Sequence, residues 1–106
     1  TVINDFGAVG HAVAQVPEED FLHICGPEEP MPANGVVTVC GPGTGLGVAQ
    51  VLLTPERYHV IETEGGHMDY APLDGIEDAI LKRLRRTYTR VSCERICSGP
   101  NLRCEV

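Results

Sequence analysis

A glycine-rich run between two apolar segments is the first feature of this sequence that could do chemistry. Residues 41–47 read Gly-Pro-Gly-Thr-Gly-Leu-Gly, and β-branched or apolar residues lie on both sides. This pattern predicts a hairpin loop between two strands. Because glycine has no Cβ, such a loop can turn through positive φ and direct successive backbone N–H groups at one anion, such as phosphate. The run matches neither the P-loop nor the dinucleotide fingerprint, and a tight turn that binds no ligand is the alternative.

A second candidate site lies at Glu64-Gly65-Gly66-His67, shortly after another predicted strand. The glycine pair lets the backbone bend sharply, so that the carboxylate of Glu64 and the imidazole of His67 can face one spot. A solvated turn with a surface histidine is the alternative explanation.

Asp5 lies where the sequence predicts a junction between a strand and a helix. Val2 and Ile3 resemble the end of a buried strand with nothing before it, and we therefore expect the chain to be a fragment. Helical spacing then begins, carried by Phe6, Val9 and Val13. The structural role expected of Asp5 at this junction is that of helix N-cap.

The elements around these motifs are short. A helical turn is expected to open at Pro17, and a loop is expected over 28–35. Strands are predicted over 48–53 and 58–61, with a hairpin connection between them at 54–57. The glycine-rich run is therefore followed by a predicted hairpin of two strands.

The clearest helix begins at Asp74, which is expected to form a capping box with Glu77. Acidic residues at its start and basic residues at its end complement the helix dipole, so the basic cluster needs no nucleic acid to explain it. Its apolar stripe is predicted to consist of Ile76, Ile80 and Leu84, with Leu81 beside it.

A last short helix is predicted from a Ser92 cap to Ser98, where Gly99 follows as a stop signal. Glu94 lies in its first turn. A glutamate at such a position usually compensates the helix dipole.

Composition excludes several classes of function. The chain has 106 residues and a formal net charge of −7, which argues against a protein that follows a nucleic-acid backbone. No apolar run approaches the roughly 20 residues that span a bilayer, and the sequence starts without a basic signal-peptide region. We expect a cytoplasmic protein of one domain at most, with no membrane partner.

The five cysteines are odd in number and contain no Cys-x-x-Cys pair, which excludes a complete disulfide framework. Cys93, Cys97 and Cys104 have a spacing that could cluster around zinc with a histidine. We expect instead that the cysteines are free and act as small hydrophobic residues in a reducing cell, with no bound metal. The full set is Cys25, Cys40, Cys93, Cys97 and Cys104.

Four motifs in order give the chain a family resemblance. They occupy 2–6, 41–49, 64–72 and 91–100. In this order they closely resemble bacterial glucokinases of the hexokinase and actin-like ATPase superfamily. The resemblance implies an α/β fold, namely a portion of the two-domain ribonuclease H-like kinase fold. It further implies that 1–35 ends the N-terminal domain and includes the connecting helix, whereas 36–106 starts the larger C-terminal domain.

The resemblance also implies roles for single residues. In that family the Asp that matches Asp5 is the catalytic base and contacts the sugar, and the Asn that matches Asn4 binds the sugar. The residues that match Glu64, His67 and Glu94 form hydrogen bonds with the glucose hydroxyls.

The matching glycine loop lies against the ATP phosphates in that family. The positions implied to bind the nucleotide here are Gly41, Gly43, Thr44 and Gly45. The implied activity is phosphorylation of glucose to glucose 6-phosphate at the first step of glycolysis, with ATP and Mg²⁺.

The residue types agree with this chemistry. A sugar hydroxyl is a poor nucleophile, so a carboxylate must accept its proton during phosphoryl transfer. Ionised Glu64 and Glu94 offer charge-assisted acceptors to hydroxyl groups, each bond worth about 1.5–3 kcal/mol. His67 can donate or accept according to its tautomer.

Departures from the family pattern leave a second function open. The family's N-terminal Asp-Gly-Gly-Thr phosphate loop and its C-terminal glycine-rich segment are absent, and residues 101–106 do not follow the family pattern. We therefore expect no glucose phosphorylation by this chain alone. The alternative function is a non-catalytic hexose-binding or interaction module. Unpaired sheet edges leave a homodimer open as well.

Overall fold

The computed structural model describes residues 2–99 and confirms the α/β class. Thr1, Pro100 and the unusual tail 101–106 lie outside the described residues. The described residues divide into two compact units, of which the first comprises 2–40 and 48–63 and the second comprises 41–47 and 64–99. The strands are β1 (Gly35–Pro42), β2 (Leu46–Leu53) and β3 (Tyr58–Thr63), the helices are α1 (Asp5–Val13) and α2 (Gly75–Leu84), and short 3₁₀ turns occupy Glu18–Asp20, Gly65–His67 and Cys93–Arg95.

The first unit is built on a sheet with strand order β1-β2-β3. Strands β2 and β3 are antiparallel, and Val51 pairs with Val60. The predicted hairpin connection is confirmed, since the Thr54 hydroxyl donates to the Arg57 carbonyl at 2.8 Å. Helix α1 approaches this sheet at Gly10, where an added Cβ would lie 2.9 Å from Val60 Cγ1. Glycine at this position therefore permits close packing of the helix on the sheet.

The N-cap of helix α1 lies one residue earlier than the sequence predicts. Asn4 is the N-cap, and its side-chain oxygen accepts hydrogen bonds from the N–H groups of Phe6 at 2.9 Å and Gly7 at 3.1 Å. The expectation that Asp5 is the cap is wrong, because Asn4 has the extended backbone of a cap whereas Asp5 is the first helical residue. Asp5 is therefore not needed to cap the helix.

The strand predicted at Val2 and Ile3 is also wrong for the described residues. Neither residue belongs to a strand, and Val2 is 99% exposed. A strand needs a neighbour to accept and donate its backbone hydrogen bonds, and the three strands of the described sheet pair with one another instead. Apolar β-branched composition alone could not show this.

In the second unit, the segment after Glu64 runs beside the segment before Glu94. Tyr70 N–H donates to the Val91 carbonyl at 3.0 Å, and Cys93 N–H donates to the Met68 carbonyl at 2.9 Å. These bonds place the Gly65–His67 turn next to the Cys93–Arg95 turn. The buried residues of this unit include Leu81, Val91, Ser92 and Ser98.

Helix α2 confirms the predicted cap only in part. Asp74 accepts hydrogen bonds from Ile76 N–H and Glu77 N–H, as a capping residue should. Glu77 accepts a bond from Leu73 N–H at 2.6 Å, one residue before the cap whose N–H a capping box would use.

The predicted apolar stripe of α2 is exposed at two of its positions, and the residue beside it is buried. Leu81 is the buried residue of the helix, whereas Ile76 is 74% exposed and Ile80 is 40% exposed. The described part of the second unit packs on the helix at Leu81, one position away from the stripe that the spacing favoured.

The last predicted helix is a 3₁₀ turn at Cys93–Arg95, and the Ser92 side chain does not cap it. The backbone of Ser92 forms a bridge with Asp69 instead, and Ser92 is buried. Among the described residues, no helix is long and apolar enough to cross a membrane.

Candidate functional site

The glycine loop is a tight hairpin connection between β1 and β2. Gly43 N–H donates to the Gly45 carbonyl at 2.8 Å, which closes the loop. The loop does not use positive φ, because Gly26 is the one glycine of the described residues with that conformation. The loop needs glycine for another reason, since a Cβ at Gly45 would lie 2.5 Å from the Glu94 carboxylate oxygen Oε2.

Glu94 holds the end of this loop. Its Oε2 accepts a half-buried hydrogen bond from Leu46 N–H at 3.0 Å. A 3₁₀ turn of three residues has only a small dipole to compensate, so this bond explains the glutamate better than the helix dipole does. Glu94 is thus tied to the glycine loop.

The Glu64–His67 segment contacts the same residue, Leu46, at its carbonyl group. Gly66 is buried, and an added Cβ there would collide with the Leu46 carbonyl oxygen. The backbone of Leu46 is therefore contacted by Glu94 at its N–H group and by the Gly65–His67 turn at its carbonyl. Three motifs that lie far apart in the sequence converge on one residue.

The side chains of Glu64 and His67 lie close together on the surface, an arrangement that fits both the predicted convergence on one spot and the alternative of a solvated turn with a surface histidine. The distance from His67 Nε2 to Glu64 Oε2 is 3.6 Å, and the two side chains are 56% and 81% exposed respectively. An exposed carboxylate beside an imidazole can accept and donate hydrogen bonds to a polar ligand.

Arg90 supports this turn and was missed by the sequence reasoning. Its guanidinium donates to the His67 carbonyl oxygen and, through Nε at 2.6 Å, to Asp69 Oδ1. Gly99 was missed in the same way, since its N–H donates to the Gly43 carbonyl at 2.7 Å. Both contacts join residues more than 20 positions apart, and no local pattern indicates them.

Asn4 and Asp5 belong to the first unit. The side chain of Asp5 is exposed, and its Oδ1 accepts a hydrogen bond from Phe6 N–H at 2.8 Å. Asn4 N–H donates to Glu62 Oε1 at 3.1 Å. Glu62 is a further residue that the sequence reasoning missed as part of this motif.

The structure therefore gathers one group of candidate residues within the second unit. The Gly41–Gly47 loop, Glu64, His67 and Glu94 lie together around Leu46. Gly43 and Thr44 are exposed at the loop tip, and a Cβ at Gly43 would meet nothing within 4 Å. Neither positive φ nor crowding accounts for the glycine at this position.

The described residues contain no group of three or more His, Cys, Asp or Glu side chains that could hold a metal ion. Of the cysteines, Cys25, Cys40, Cys93 and Cys97 are described, and each of them is a free thiol. Cys104 lies outside the described residues.

Comparison with known proteins defines the family. A family model described as Glucokinase matches residues 1–104. The glucokinase of Zymomonas mobilis subsp. mobilis is 63% identical over 101 residues, which cover 95% of this chain and 31% of that protein. A solved glucokinase from an Antarctic psychrotroph superposes with a TM-score of 0.82 at 33% identity, over 95% of this chain and 31% of that one. A glucokinase from Balamuthia mandrillaris, solved in complex with glucose, supports the fold alone, with a TM-score of 0.62 at 23% identity over 92% of this chain and 29% of that one.

The α/β fold of the described residues is thus part of a sugar-kinase fold. The chain belongs to the glucokinase family. It spans 31% of the length of the Zymomonas glucokinase that it matches.

Proposed function

We propose that this chain forms part of an ATP-dependent kinase that phosphorylates glucose to glucose 6-phosphate, the first step of glycolysis. Membership of the glucokinase family supports the reaction. The observation that carries the proposal is the convergence of the glycine loop, the Glu64–His67 turn and Glu94 on Leu46. This convergence supports the proposal because one framework would hold both the proposed sugar-binding residues and the proposed phosphate-facing loop.

Glu64, His67 and Glu94 are proposed to bind the sugar hydroxyls. The two carboxylates accept hydrogen bonds from hydroxyl groups, and the imidazole donates or accepts according to its tautomer. The exposure of Glu64 and His67 supports this role, because an incoming ligand can reach both side chains without displacing protein atoms. Asn4 is proposed to contribute a further polar contact to the sugar.

Asp5 is proposed as the general base, which accepts the proton of the attacking hydroxyl as phosphoryl transfer proceeds. Its exposed carboxylate supports the assignment. The cap of α1 is supplied by Asn4, so the carboxylate of Asp5 is not required for that purpose.

The nucleotide side is proposed to use Gly41, Gly43, Thr44 and Gly45. The missing side chain at Gly43 leaves open space, which suits close approach of a phosphate to the backbone. Mg²⁺ bound with ATP supplies neutralisation of phosphate charge. It commonly uses one or two carboxylates, waters and the phosphates themselves, so the lack of a three-residue metal cluster among residues 2–99 is compatible with it.

The domain bounds, the cellular location and the oligomeric state are also part of the proposal. We propose that 1–35 ends the N-terminal domain of the enzyme and that 36–106 starts its C-terminal domain. The reaction is proposed to take place in the cytoplasm. Pairing of two chains into a homodimer is a further expectation, which sedimentation of the purified protein would test.

The proposal is tested with a hybrid enzyme, in which this chain replaces the matching 101-residue segment of the Zymomonas glucokinase. The hybrid enzyme should produce glucose 6-phosphate from glucose, ATP and Mg²⁺ in a coupled assay. The 106-residue chain alone should produce none, because phosphoryl transfer needs a second phosphate loop that its sequence lacks.

A cooperative thermal transition shows whether the hybrid enzyme is folded. A folded hybrid that binds glucose in calorimetric titration but has no turnover would favour the non-catalytic hexose-binding module. A folded hybrid that neither binds glucose nor turns it over contradicts both functions.

A further inference from the structure

Glu62 contacts the segment that carries the two proposed functional residues of the first unit. Its Oε1 lies 3.1 Å from the backbone nitrogen of Asn4, which donates the hydrogen bond. Asn4 is the N-cap of α1, and its own side chain accepts from Phe6 N–H and Gly7 N–H. Asn4 is therefore held at both its side chain and its backbone.

This arrangement completes a capping box from a distant strand. In an ordinary capping box, the residue three positions after the cap is a Glu or Gln that reaches back to the N–H group of the cap. That position here is Gly7, which has no side chain. Glu62 takes its place, 58 residues away in sequence.

Gly7 is what gives Glu62 access to the cap. A Cβ at Gly7 would collide with Glu62 Oε1 and would lie 3.0 Å from Glu62 Cγ. The nearest atoms to this absent Cβ all belong to Glu62, so the space beside the helix start is occupied by that side chain. Gly7 and Glu62 therefore form a matched pair.

Strand β3 fixes the position of the Glu62 backbone, and therefore the region that its side chain can contact. Glu62 pairs with Ala49, which is fully buried in the middle strand. The next residue, Thr63, donates its hydroxyl hydrogen to the Val48 carbonyl at 2.8 Å. Pairing with β2 thus anchors the backbone of Glu62, and the hydrogen bond from Asn4 N–H links its carboxylate to the start of α1.

We propose that Glu62 is a positioning residue, which fixes the backbone of Asn4 and Asp5 for the reaction. The inference rests on the proposed function, because it assumes that Asp5 and Asn4 act on the sugar. A carboxylate at a helix N-terminus is favoured by the helix dipole and forms a charge-assisted bond with the cap N–H group. Small errors in the placement of a catalytic group are costly, so loss of this bond should reduce turnover.

The experiment compares variants of the hybrid enzyme. Glu62→Ala should lower kcat about 10-fold with less than a twofold change in the KM for ATP. Glu62→Gln keeps an oxygen acceptor without the charge and should show a smaller loss. Glu56→Ala removes an exposed carboxylate from the β2–β3 connection and should leave kcat unchanged.

A rescue separates positioning from general stability. In the Glu62→Ala background, Gly7→Glu places a carboxylate at the ordinary capping-box position, in the space that Glu62 vacates. It should restore most of the lost kcat. Gly7→Ala in the same background fills the space without a carboxylate and should restore none. Equal recovery by both substitutions, or a Glu62→Ala enzyme with unchanged kcat, overturns the proposal.

Amide exchange tests the contact without any activity. In the 106-residue chain, hydrogen exchange at Asn4 N–H should be several-fold faster after Glu62→Ala than in the parent chain, and Glu56→Ala should not change it. Unchanged exchange at Asn4 contradicts the Glu62 inference even if the hybrid enzyme is active. An unsubstituted hybrid that is folded but inactive contradicts the proposed function, whatever the exchange result.

Discussion

The backbone N–H of Leu46 donates to the carboxylate of Glu94 at 3.0 Å, and this bond joins the glycine loop to a residue that is proposed to bind the sugar. The same oxygen lies 2.5 Å from the position that a Cβ of Gly45 would occupy. Glu94 therefore has two tasks under the proposed function, since it shapes the loop that faces the nucleotide and binds a hydroxyl of the sugar. Substitution of Glu94 should therefore affect the binding of both the nucleotide and the sugar.

Glu94→Ala in the hybrid enzyme should raise the KM values for both ATP and glucose, each about 10-fold, because a bond to a charged group is lost on both sides. Glu94→Gln retains an oxygen that can accept from Leu46 N–H. Its KM for ATP should therefore stay within about threefold of the parent value, while the KM for glucose rises. Steady-state kinetics with each substrate varied would measure the two constants. An unchanged KM for ATP in Glu94→Ala would show that the loop does not depend on this bond.

Glycine substitutions should separate the packing role of glycine from its proposed ligand-binding role. Gly66→Ala introduces a Cβ against the Leu46 carbonyl oxygen and should destabilise the chain by about 1–3 kcal/mol, as overpacking does. Gly43→Ala introduces a Cβ into open space and should change the unfolding free energy little. Thermal or urea unfolding of the 106-residue chain would measure both.

In the hybrid enzyme, Gly43→Ala should affect nucleotide binding although it has little effect on stability. The substitution should raise the KM for ATP, because the added methyl group occupies the space proposed for phosphate. A normal KM for ATP in this variant would remove Gly43 from the nucleotide site.

Sequence reasoning succeeded where the governing contacts are local. The cap at Asp74 and the turn from Thr54 to Arg57 each depend on residues within three positions of one another. Turn and cap chemistry is set by neighbouring backbone groups, so it can be predicted from a short window.

The contacts that assemble the site could not be predicted in that way. The bond from Leu46 to Glu94 spans 48 positions, and the bond from Asn4 to Glu62 spans 58. The glycine loop shows that residue type alone does not reveal why glycine is needed at a position. Glycine serves positive φ and close approach equally well, and only the position of the Glu94 carboxylate shows that close approach is the reason at Gly45.

Glu64 and His67 should act mainly on the sugar. Glu64→Gln or His67→Ala in the hybrid enzyme should raise the KM for glucose about 10-fold or more, while the KM for ATP changes less than threefold. His59→Ala removes another exposed histidine, on β3, and should change neither constant. A larger effect on the KM for ATP would place Glu64 and His67 on the nucleotide side instead.

Zinc should not be required for folding. No group of three or more potential ligands occurs among residues 2–99, and four of the cysteines are free thiols there. Protein purified under reducing conditions should contain no stoichiometric zinc by elemental analysis, and a chelator should leave its Tm unchanged, because a structural zinc site normally contributes directly to folding. One equivalent of zinc per chain would contradict this prediction.

Asp5→Asn should lower kcat of the hybrid enzyme by at least about 100-fold, the usual scale of general-base catalysis, with the KM for glucose changed less than threefold. The side-chain amide retains the size and an acceptor oxygen of Asp5 but cannot take a proton from the attacking hydroxyl. The structure removes one competing explanation, since Asn4 caps α1 and the substitution leaves that cap intact. Asp78→Asn, in the first turn of α2, is the matched control and should leave kcat unchanged. If Asp5→Asn turns over glucose at nearly the parent rate while Asp78→Asn does the same, Asp5 is not the base, and the proton of the sugar hydroxyl must be accepted elsewhere in the enzyme.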